Sequence, residues 1–468
     1  MITLHEIINE NPTWFTIERF LFKPHFLQKF CMDIQSWALE KVENDSSQNL
    51  EKQQMRRMRT LVTHAYTSVP YWKDLLDKAG IDPIDIKSIK DFQKIPITTK
   101  VKFKTISVEE RISSFIKSSR HRSSVTSGST GTPTFIVLDK WIAERRLAIR
   151  ERGMRWAFGP REKKDLYIRI SPRNAFYPGY IIFNVPDFSC LDEVKEKLYD
   201  ISRSNNCIIS SNPSIMFYLA RSVEKDKKTL SLKGIIMGGE DMLSSTKEYI
   251  KKVFRCSVAR QYTASEFSTL ASECLYGNYH INQDQYYVEI IDSNKNIPVY
   301  EKLGKVIVTD FNNYVMPFIR YGVGDIGIIY PNHQCKCGSL FPIIELVGRD
   351  TIAIKLPNGE EHFIWKILSP LAETKIRPWI LQFQMIRTSV YDFEILIVTT
   401  NEETQKELEL TKKAMQKELG MSAKIKITKV HKIDVSDGAK LRSYVSLIQA
   451  NEKSENDLNS NYNILRIP

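Results

Sequence analysis

The chain has no long hydrophobic run and few cysteines, and each shortage excludes a class of protein. In 468 residues no stretch approaches the roughly 18–20 apolar residues that a membrane-spanning helix needs. Seven cysteines, an odd number in a long chain, do not form the dense framework of a small secreted domain. The first ten residues contain two glutamates and no lysine or arginine, unlike a signal peptide. We therefore expect a cytoplasmic protein without a membrane span.

The net charge of +12 does not indicate a nucleic-acid-binding protein. Lysine and arginine are interspersed with 55 acidic residues. Short basic clusters, such as Lys117–Arg122 and Lys225–Lys228, are typical of solvated surface. No zinc-finger, helix-turn-helix or RNA-recognition signature accompanies them. We expect no nucleic-acid partner, and the positive charge suits a small anionic ligand.

Apolar patterning divides the chain into three parts. Residues 1–120 have helical periodicity, most clearly in Ser47–Ala65 and Tyr71–Ala79. Residues 121–348 alternate short apolar runs with helical stretches, which predicts an α/β domain with a substantial sheet. These runs are Phe135–Leu138, Leu166–Ile170, Cys207–Ile209, Gly234–Met237 and Lys305–Val308. Residues 349–468 predict a small α+β domain, with Phe393–Val398, Thr404–Leu419 and Ala423–Val430 as strand, helix and strand.

The segment Ser124–Pro133 is rich in glycine and hydroxyl groups and predicts a phosphate-binding loop. Glycine permits close backbone approach to a ligand, and exposed N–H groups bind anions. The loop lacks the Gly-Lys-Ser/Thr ending of a Walker A motif. A flexible linker is the alternative, but this segment runs directly into a predicted strand. The candidate phosphate ligands are Thr126, Ser127, Gly128, Ser129, Thr130, Gly131 and Thr132.

This loop resembles the ATP-binding loop of the adenylate-forming superfamily, which includes acyl-CoA synthetases, luciferases and peptide-synthetase adenylation domains. Five further segments resemble the family's motifs in the family's order: Gly238–Glu240, Tyr262–Glu266, Tyr321–Asp325, Gly348-Arg349 and Asp437–Arg442. Three others are similar to the phenylacetate–CoA ligase family, closest to a branch found with capsule-polysaccharide genes: Leu61–Trp72, Leu75–Pro83 and Lys94–Lys100. The resemblance implies a large N-terminal domain of β-sheets and packed helices, followed by a small mobile C-terminal lid.

The resemblance also implies a reaction, in which a carboxylate oxygen attacks the α-phosphorus of ATP and pyrophosphate leaves. Both reactants are anions, so the protein must supply positive charge and alignment. The matched positions are expected to divide the work: Gly239 and Glu240 on the adenine side, Tyr262 against adenine, Ser265 on the α-phosphate, Glu266 on Mg²⁺, Asp325 on the ribose hydroxyls, Arg349 on ribose or phosphate, and Lys440 between the carboxylate and the α-phosphate.

Two departures from the family pattern affect the C-terminal part. Ala439 separates the motif glycine from Lys440, which makes Lys432 a competing candidate for the catalytic lysine. The hinge segment Asp350–Ala353 stands where relatives often have two acidic residues. The residue on which the small domain would pivot is therefore left open.

Cysteine and histidine spacing predicts a structural metal site. Cys335 and Cys337 form a Cys-x-Cys-Gly sequence, a common shape for a metal-binding turn. A closed tetrahedral zinc site needs two more ligands, for which Cys274 and His280 are the candidates and His333 is an alternative. The competing interpretation is a set of unrelated reduced cysteines that pack as small hydrophobes. A closed site has no open position for water, so we expect no catalytic role.

Three functions are compatible with these motifs. The leading one is a ligase that forms an acyl-adenylate and passes the acyl group to coenzyme A. The second transfers the acyl group to an amine, an amino sugar or a carrier-protein thiol, and the third is a nucleotide-binding relative without activity. Pocket walls are expected from Phe176–Phe183, Ser210–Phe217 and Gly238–Asp241, with Arg169 or Arg173 as a polar contact. The carboxylic acid itself is not identified, and a homodimer is left open.

Overall fold

The structure is a computed structural model. It describes residues 25–43, 45, 47–117, 121–125, 135–139, 142–172, 179–186, 188–203, 206–226, 228–292, 295, 297–349, 353–355, 361–372, 378–400, 405–420, 422–433 and 441–448. Within these residues, no helix is long and apolar enough to cross a membrane. The candidate phosphate ligands from Thr126 to Thr132, as well as Arg173 and Lys440, lie outside the described residues.

The chain divides into two compact units. Described residues up to Arg349 form the large unit, apart from a short segment at 241–249. That segment and the described residues after 349 form the small unit. In the short segment, the hydroxyls of Ser245 and Thr246 donate to the carbonyl oxygens of Ile380 and Leu381. These hydrogen bonds attach the segment to the rest of the small unit.

The described helices of the large unit begin with a helical N-terminal region, as the sequence predicts for Ser47–Ala65 and Tyr71–Ala79. A buried stripe recurs every three or four residues along the second helix, at Leu50, Gln54, Met58, Leu61 and Ala65. The helices are α1 (His25–Glu43), α2 (Ser47–Ser68), α3 (Pro70–Lys78), α4 (Ile89–Phe92), α5 (Lys100–Thr105), α6 (Val108–Arg111), α7 (Ile142–Phe158), α8 (Leu191–Ser202), α9 (Pro213–Asp226) and α10 (Ser244–Phe254), whose start belongs to the small unit.

The strands of the large unit include all five runs that the apolar pattern predicts. They are β1 (Thr98–Thr99), β2 (His121–Val125), β3 (Phe135–Asp139), β4 (Asp165–Ser171), β5 (Tyr180–Asn184), β6 (Asn206–Ser211), β7 (Leu232–Gly238), β8 (Ser257–Ala264), β9 (Ser268–Glu273), β10 (Tyr279–Ile281), β11 (Tyr286–Ile291), β12 (Gly304–Asp310), β13 (Tyr321–Tyr330) and β14 (Ile343–Arg349). Strands β2 and β3 form a separate antiparallel pair.

One sheet of twelve strands combines a parallel half and an antiparallel half. Its order is β11-β12-β13-β14-β10-β9-β8-β7-β6-β4-β5, with β1 beside β13. Strands β5, β4, β6, β7 and β8 run parallel, and every pairing from β8 through β9 to β11 is antiparallel. The change of direction occurs at the β8–β9 hairpin, so the chain turns back at the carboxyl edge of the parallel half.

The small unit is built on a four-stranded sheet of order β19-β18-β17-β20. Its elements are β15 (Ala353–Lys355), β16 (Glu361–Phe363), α11 (Ile364–Ala372), β17 (Ile380–Arg387), β18 (Asp392–Thr399), α12 (Gln405–Leu419), β19 (Lys424–Lys429) and β20 (Tyr444–Ser446). Strands β18 and β19 are parallel and joined through α12, which confirms the predicted strand–helix–strand unit. Buried residues of both helices pack on this sheet, among them Ile367, Leu371 and Met415.

Candidate active site

The carboxyl edge of the parallel strands holds several of the candidate residues. Ligands of open α/β sheets bind at this edge, beyond the ends of the strands. Strand β6 ends at Ser211, β7 ends at Gly238, and β8 ends at Ala264, just before Glu266. The side chain of Asn212 donates to the carbonyl oxygen of Gly238 across 3.3 Å and ties two of these strand ends together.

The turn after β7 depends on two glycines. A side chain at Gly238 would lie 2.7 Å from the backbone oxygen of Gln261 on β8, so only glycine fits there. Gly239 has φ of +86°, a conformation that strongly favours glycine. The turn brings Glu240 back to the start of α9, where its Oε2 accepts hydrogen bonds from the backbone N–H of Ser214 at 3.2 Å and from its hydroxyl at 2.5 Å.

Asp325 is buried in a small polar cluster with Tyr262 and Arg349. The Tyr262 hydroxyl donates to Oδ2 of Asp325 across 2.6 Å, and Nε of Arg349 lies 3.2 Å from Oδ1. Register explains the second contact, because Asp325 on β13 is directly opposite Arg349 on β14. Burial, and then the Asp325 carboxylate, raise the pKa of Tyr262 well above its ordinary value. The phenol therefore stays protonated and fixes the orientation of the carboxylate.

The hairpin between β8 and β9 separates two neighbouring candidates. The backbone N–H of Phe267 donates to the carbonyl oxygen of Ala264 and closes a tight turn. Within it Ser265 is exposed, whereas Glu266 is buried. The fully buried ring of Phe267 packs edge-on against Phe318 and anchors the turn in the core.

Two side chains hold the Glu266 carboxylate by the same oxygen. Nζ of Lys100 lies 3.0 Å from Oε1, and the Tyr321 hydroxyl donates to Oε1 across 3.2 Å. Arg146 donates to the backbone carbonyl oxygen of Glu266. Oε2 accepts no hydrogen bond from the residues that the structure describes. A carboxylate held by one oxygen in this way fits Mg²⁺, which prefers carboxylate and phosphate oxygens.

Lys100 is a site residue to which the sequence gives no role, although it closes one of the segments that resemble phenylacetate–CoA ligases. Its position follows from β1, which pairs in parallel with β13 so that Thr98 faces Tyr321 and Thr99 faces Gly322. Thr99 then accepts a hydrogen bond from the N–H of Lys102 and caps α5. The first residue of that helix is therefore brought beside Tyr321 and Glu266. Only the pairing of two strands distant in sequence could have revealed this contact.

The remaining candidates lie in several places. On the carboxyl edge, Arg169 donates to the hydroxyl of Ser210 across 3.0 Å. Lys432, the competing lysine, is exposed in the small unit. Tyr262 is 8% exposed, and its predicted contact with adenine stays a prediction. The structure brings together the four predicted metal ligands, Cys274, His280, Cys335 and Cys337, whose ligand atoms lie within 4.8 Å of one another. His333 is not in this group.

The chain is similar in sequence to phenylacetate–coenzyme A ligases. It is 25% identical to that of Thermus thermophilus over 315 residues, which are 62% of this chain and 68% of the relative. It is 24% identical to that of Escherichia coli over 325 residues, which are 64% and 71% of the two chains. No family model matches the chain.

Solved structures match a larger share of the chain. A 2-hydroxyisobutyryl-CoA ligase in the postadenylation state, in complex with R3-HIB-AMP, aligns with a TM-score of 0.70 and 17% identity over 88% of this chain and 92% of the other. The chain has the fold of the adenylate-forming ligases. The same ligase in its thioesterification state, with 2-HIB-AMP and CoA, aligns with a TM-score of 0.60 and 18% identity over 86% and 91%. The mixed α/β fold class predicted from the sequence is thereby confirmed.

Proposed function

We propose that the protein activates a carboxylic acid with ATP and transfers the acyl group to coenzyme A. In the first step a carboxylate oxygen bonds to the α-phosphorus, the bond to the β-phosphate oxygen breaks, and pyrophosphate leaves. In the second step the coenzyme A sulfur bonds to the acyl carbon, the thiol proton passes to solvent, and AMP leaves. Neither step requires an oxidant or a reductant.

The observation that carries this proposal is the fixed carboxylate of Asp325. Tyr262 and Arg349 orient it from two sides, one at each oxygen. A carboxylate has about four lone-pair sites, so these contacts are compatible with hydrogen bonds from the two hydroxyls of a ribose. An acceptor that is already oriented loses little entropy when the sugar binds. The arrangement thus favours a nucleoside over an isolated phosphate.

Glu266 supplies the second part of the argument. Its side chain is 3% exposed and its Oε1 is held by Lys100, and none of the described residues donates to Oε2, which would bind the cation. Mg²⁺ would neutralise charge on the phosphates, and Glu266 would fix where that neutralisation occurs. Lys100 offsets the negative charge of Glu266, which reduces the repulsion between that carboxylate and an anionic substrate.

The relatives support the same reaction class. The curated relatives are phenylacetate–coenzyme A ligases, and the matched ligase was solved with acyl-AMP and with CoA. In this proposal the loop from Thr126 to Thr132 holds the leaving phosphates, and Lys440 bridges the acid and the α-phosphate. Ser265, exposed on its turn, would contact the α-phosphate, with Gly239 and Glu240 beside the adenine.

The test is acid-dependent release of pyrophosphate from ATP and Mg²⁺, with and without coenzyme A. The panel should contain aromatic acids such as phenylacetate and benzoate, aliphatic acids, and hydroxy acids such as 2-hydroxyisobutyrate. We expect release with one class of acid and a coenzyme A thioester by mass spectrometry. If ATP binds and no acid releases pyrophosphate, the proposal is wrong and a nucleotide-binding relative without activity is favoured.

The acceptor is decided by the second arm of the same experiment. In one outcome of this test, pyrophosphate is released without formation of any coenzyme A thioester. If the acyl group then passes to an amine, an amino sugar or a carrier-protein thiol, that group replaces coenzyme A as the acceptor. The adenylation step would then stand while the second step is revised.

A further inference from the structure

The residues Cys274, His280, Cys335 and Cys337 form a cluster that the proposed reaction does not use, here called the Cys–His cluster. Cys274 follows β9 and His280 lies on β10, whereas Cys335 and Cys337 lie in the connection between β13 and β14. All four ligand atoms are within 4.8 Å of one another. We propose that this cluster binds one zinc ion as a closed structural site that joins the two connections.

The spacing of the ligand atoms matches a tetrahedral metal site. Sulfur lies about 2.3 Å and nitrogen about 2.0–2.1 Å from zinc, so roughly 3.7 Å separates two sulfurs and roughly 3.5 Å separates sulfur from nitrogen. The sulfurs of Cys274 and Cys335 are 3.7 Å apart, and the Cys337 sulfur is 3.2 Å from Nε2 of His280. A disulfide needs about 2.05 Å between sulfurs, and all three cysteines are free.

His280 is oriented as a ligand by its other ring nitrogen. Its Nδ1 lies 2.8 Å from the carbonyl oxygen of Phe341, which can only accept a hydrogen bond and so assigns the N–H to Nδ1. The lone pair of Nε2 then points at Cys337. A carbonyl that fixes the tautomer in this way is the usual outer partner of a metal-bound histidine.

Two similar turns present the sulfurs. In Cys274–Gly277 and in Cys335–Gly338, the glycine N–H donates to the cysteine carbonyl oxygen, across 2.9 Å and 3.0 Å. Both glycines have positive φ, +81° and +79°, although a Cβ at either would meet nothing within 4 Å. Backbone conformation, rather than crowding, therefore favours glycine at both positions.

Hydrogen bonds to sulfur complete the surroundings. The side chain of Asn278 donates to the Cys335 sulfur across 3.2 Å. Backbone N–H groups of Tyr276 and Asn278 face the Cys274 sulfur, and that of Ser339 faces the Cys337 sulfur. Donors aimed at sulfur stabilise thiolates, the form in which cysteine binds metal. Reduced cysteines that merely pack as small hydrophobes do not require such donors.

The site has a structural consequence at one end of β14. His280 pairs with Ile343, the first residue of that strand, and Arg349 is its last. Four protein ligands leave no open position on zinc, so the ion takes no part in acyl transfer. Its loss should loosen the β9–β10 and β13–β14 connections and lower stability, since metal-binding free energy is also folding free energy.

The test is the metal content of full-length protein that carries no histidine tag and is purified without chelators. We expect about one zinc per chain by mass spectrometry of the metals. Cys337→Ser should lower this at least about tenfold, whereas Cys190→Ser, outside the cluster and half-buried, should retain it. His280→Cys should also retain the metal, because it keeps four ligands.

A second measurement keeps the proposal testable if a variant does not fold. Wild-type protein reconstituted with Co²⁺ should show the visible absorption of tetrahedral cobalt and a thiolate charge-transfer band, and Cys337→Ser should lose the band. Wild-type protein without stoichiometric metal, or with a disulfide between Cys274 and Cys335, would overturn the proposal. Equal loss of zinc from Cys190→Ser would identify it as adventitious and would also overturn it.

Discussion

A tyrosine hydroxyl that donates to a buried carboxylate can position that carboxylate for a ligand, and Tyr262 does this for Asp325 across 2.6 Å. Tyr330 donates to Glu345 across 3.1 Å in an exposed position of the same strand that carries Asp325. The two pairs have the same chemistry in different surroundings. They therefore allow the effect of positioning to be separated from the general effect of removing a phenol.

Asp325→Asn should weaken nucleotide binding because the amide offers one acceptor oxygen in place of two. We expect kcat/KM for ATP to fall about 10- to 100-fold, since each tenfold corresponds to about 1.4 kcal/mol. Tyr262→Phe should lower it by about tenfold or less, and Tyr330→Phe should leave it unchanged. Steady-state pyrophosphate release over a range of ATP concentrations measures all three. Unchanged ATP kinetics in Asp325→Asn would remove Asp325 from the nucleotide site.

Lys100→Met should lower activity and stability together. The Glu266 carboxylate would keep the Tyr321 hydroxyl but lose its cationic partner in a buried site, which typically costs several kcal/mol, about 3–5 when the other charge stays uncompensated. Lys102→Met, an exposed lysine of the same helix, is the control and should change neither property. Denaturant unfolding and pyrophosphate release give the two readouts.

The double variant Lys100→Met/Glu266→Gln distinguishes an effect on the carboxylate from a general disturbance of α5. Removing both charges should recover most of the lost stability without recovering activity, because the proposed Mg²⁺ ligand is also gone. If the double variant is as unstable as Lys100→Met, the ion pair is not what Lys100 contributes.

At the scale of elements, α7 crosses β8 and β9 closely at Gly153. A Cβ there would lie 2.6 Å from Nε2 of Gln261 and 2.7 Å from Cβ of Ser272, two buried side chains. Gly→Ala in a helix usually stabilises by up to about 1 kcal/mol, and overpacking costs about 1–3 kcal/mol. We expect Gly153→Ala to lower the free energy of unfolding. Adding Ser272→Gly should recover part of the loss. If Gly153→Ala alone gains stability, α7 does not pack as closely on β8 and β9 at this position as the distances indicate.

The pair Arg152–Asp284 joins α7 to the turn before β11, with 2.7 Å between Nη2 and Oδ1. Burial alone would raise the pKa of Asp284, but the facing guanidinium and its hydrogen bonds hold it below its ordinary value. A carboxyl with a lowered pKa in the folded state contributes stability above its ordinary pKa, near 4, and loses it as the pH falls through the lower value.

Asp284→Asn should therefore cost about 3–5 kcal/mol near neutral pH, because the buried Arg152 loses its nearer carboxylate and keeps the more distant Glu43, whose Oε1 lies 3.9 Å from its Nε. The loss should shrink below about pH 4, where the carboxyl begins to protonate in the unfolded wild-type chain, and should shrink further as the pH falls through the lower folded-state pKa. Asp74→Asn removes an exposed pair with Lys78 and should cost less than about 1 kcal/mol. Urea unfolding at several pH values measures both, and a cost independent of pH would contradict the assignment.

The sequence predicts some elements well and others poorly, for a physical reason. Strands with a continuous apolar run, such as β6 and β7, and helices with a buried stripe, such as α2, were predictable from patterning. Strand β9 was not, because its buried positions include Ser272 and Glu273, the latter paired with Arg260 on β8. Polar residues satisfied by a neighbouring strand are indistinguishable from surface residues in the sequence alone.

The residues of the candidate site also differ in how well the sequence predicts them. Asp325 and Glu266 were predictable because each lies in a short motif, whereas Lys100 depends on the pairing of β1 with β13. The contact of Asp325 with Arg349 likewise follows from strand register. Short motifs thus predict residues of the candidate site, and the sheet determines which of them touch.

At the scale of the whole molecule, the proposed reaction divides between the two units. Asp325, Glu266 and Lys100 belong to the large unit, Lys432 belongs to the small one, and Lys440 lies outside the described residues. If the proposal holds, nucleotide binding and bond formation can be lost separately. Thioester formation can also be measured separately from adenylation, because an acyl-adenylate supplied in the assay makes the adenylation step unnecessary.

Lys440→Ala should lower acid-dependent pyrophosphate release about 10²- to 10³-fold, because a positive charge is removed where negative charge develops. ATP binding should persist, since the proposed ribose and Mg²⁺ ligands, Asp325 and Glu266, belong to the large unit. Thioester formation from synthetic acyl-adenylate and coenzyme A should also persist, because that step no longer needs the acid and the α-phosphate to be bridged. Lys432→Ala is the matched variant. If only Lys432→Ala loses pyrophosphate release, Lys432 and not Lys440 bridges the acid and the α-phosphate.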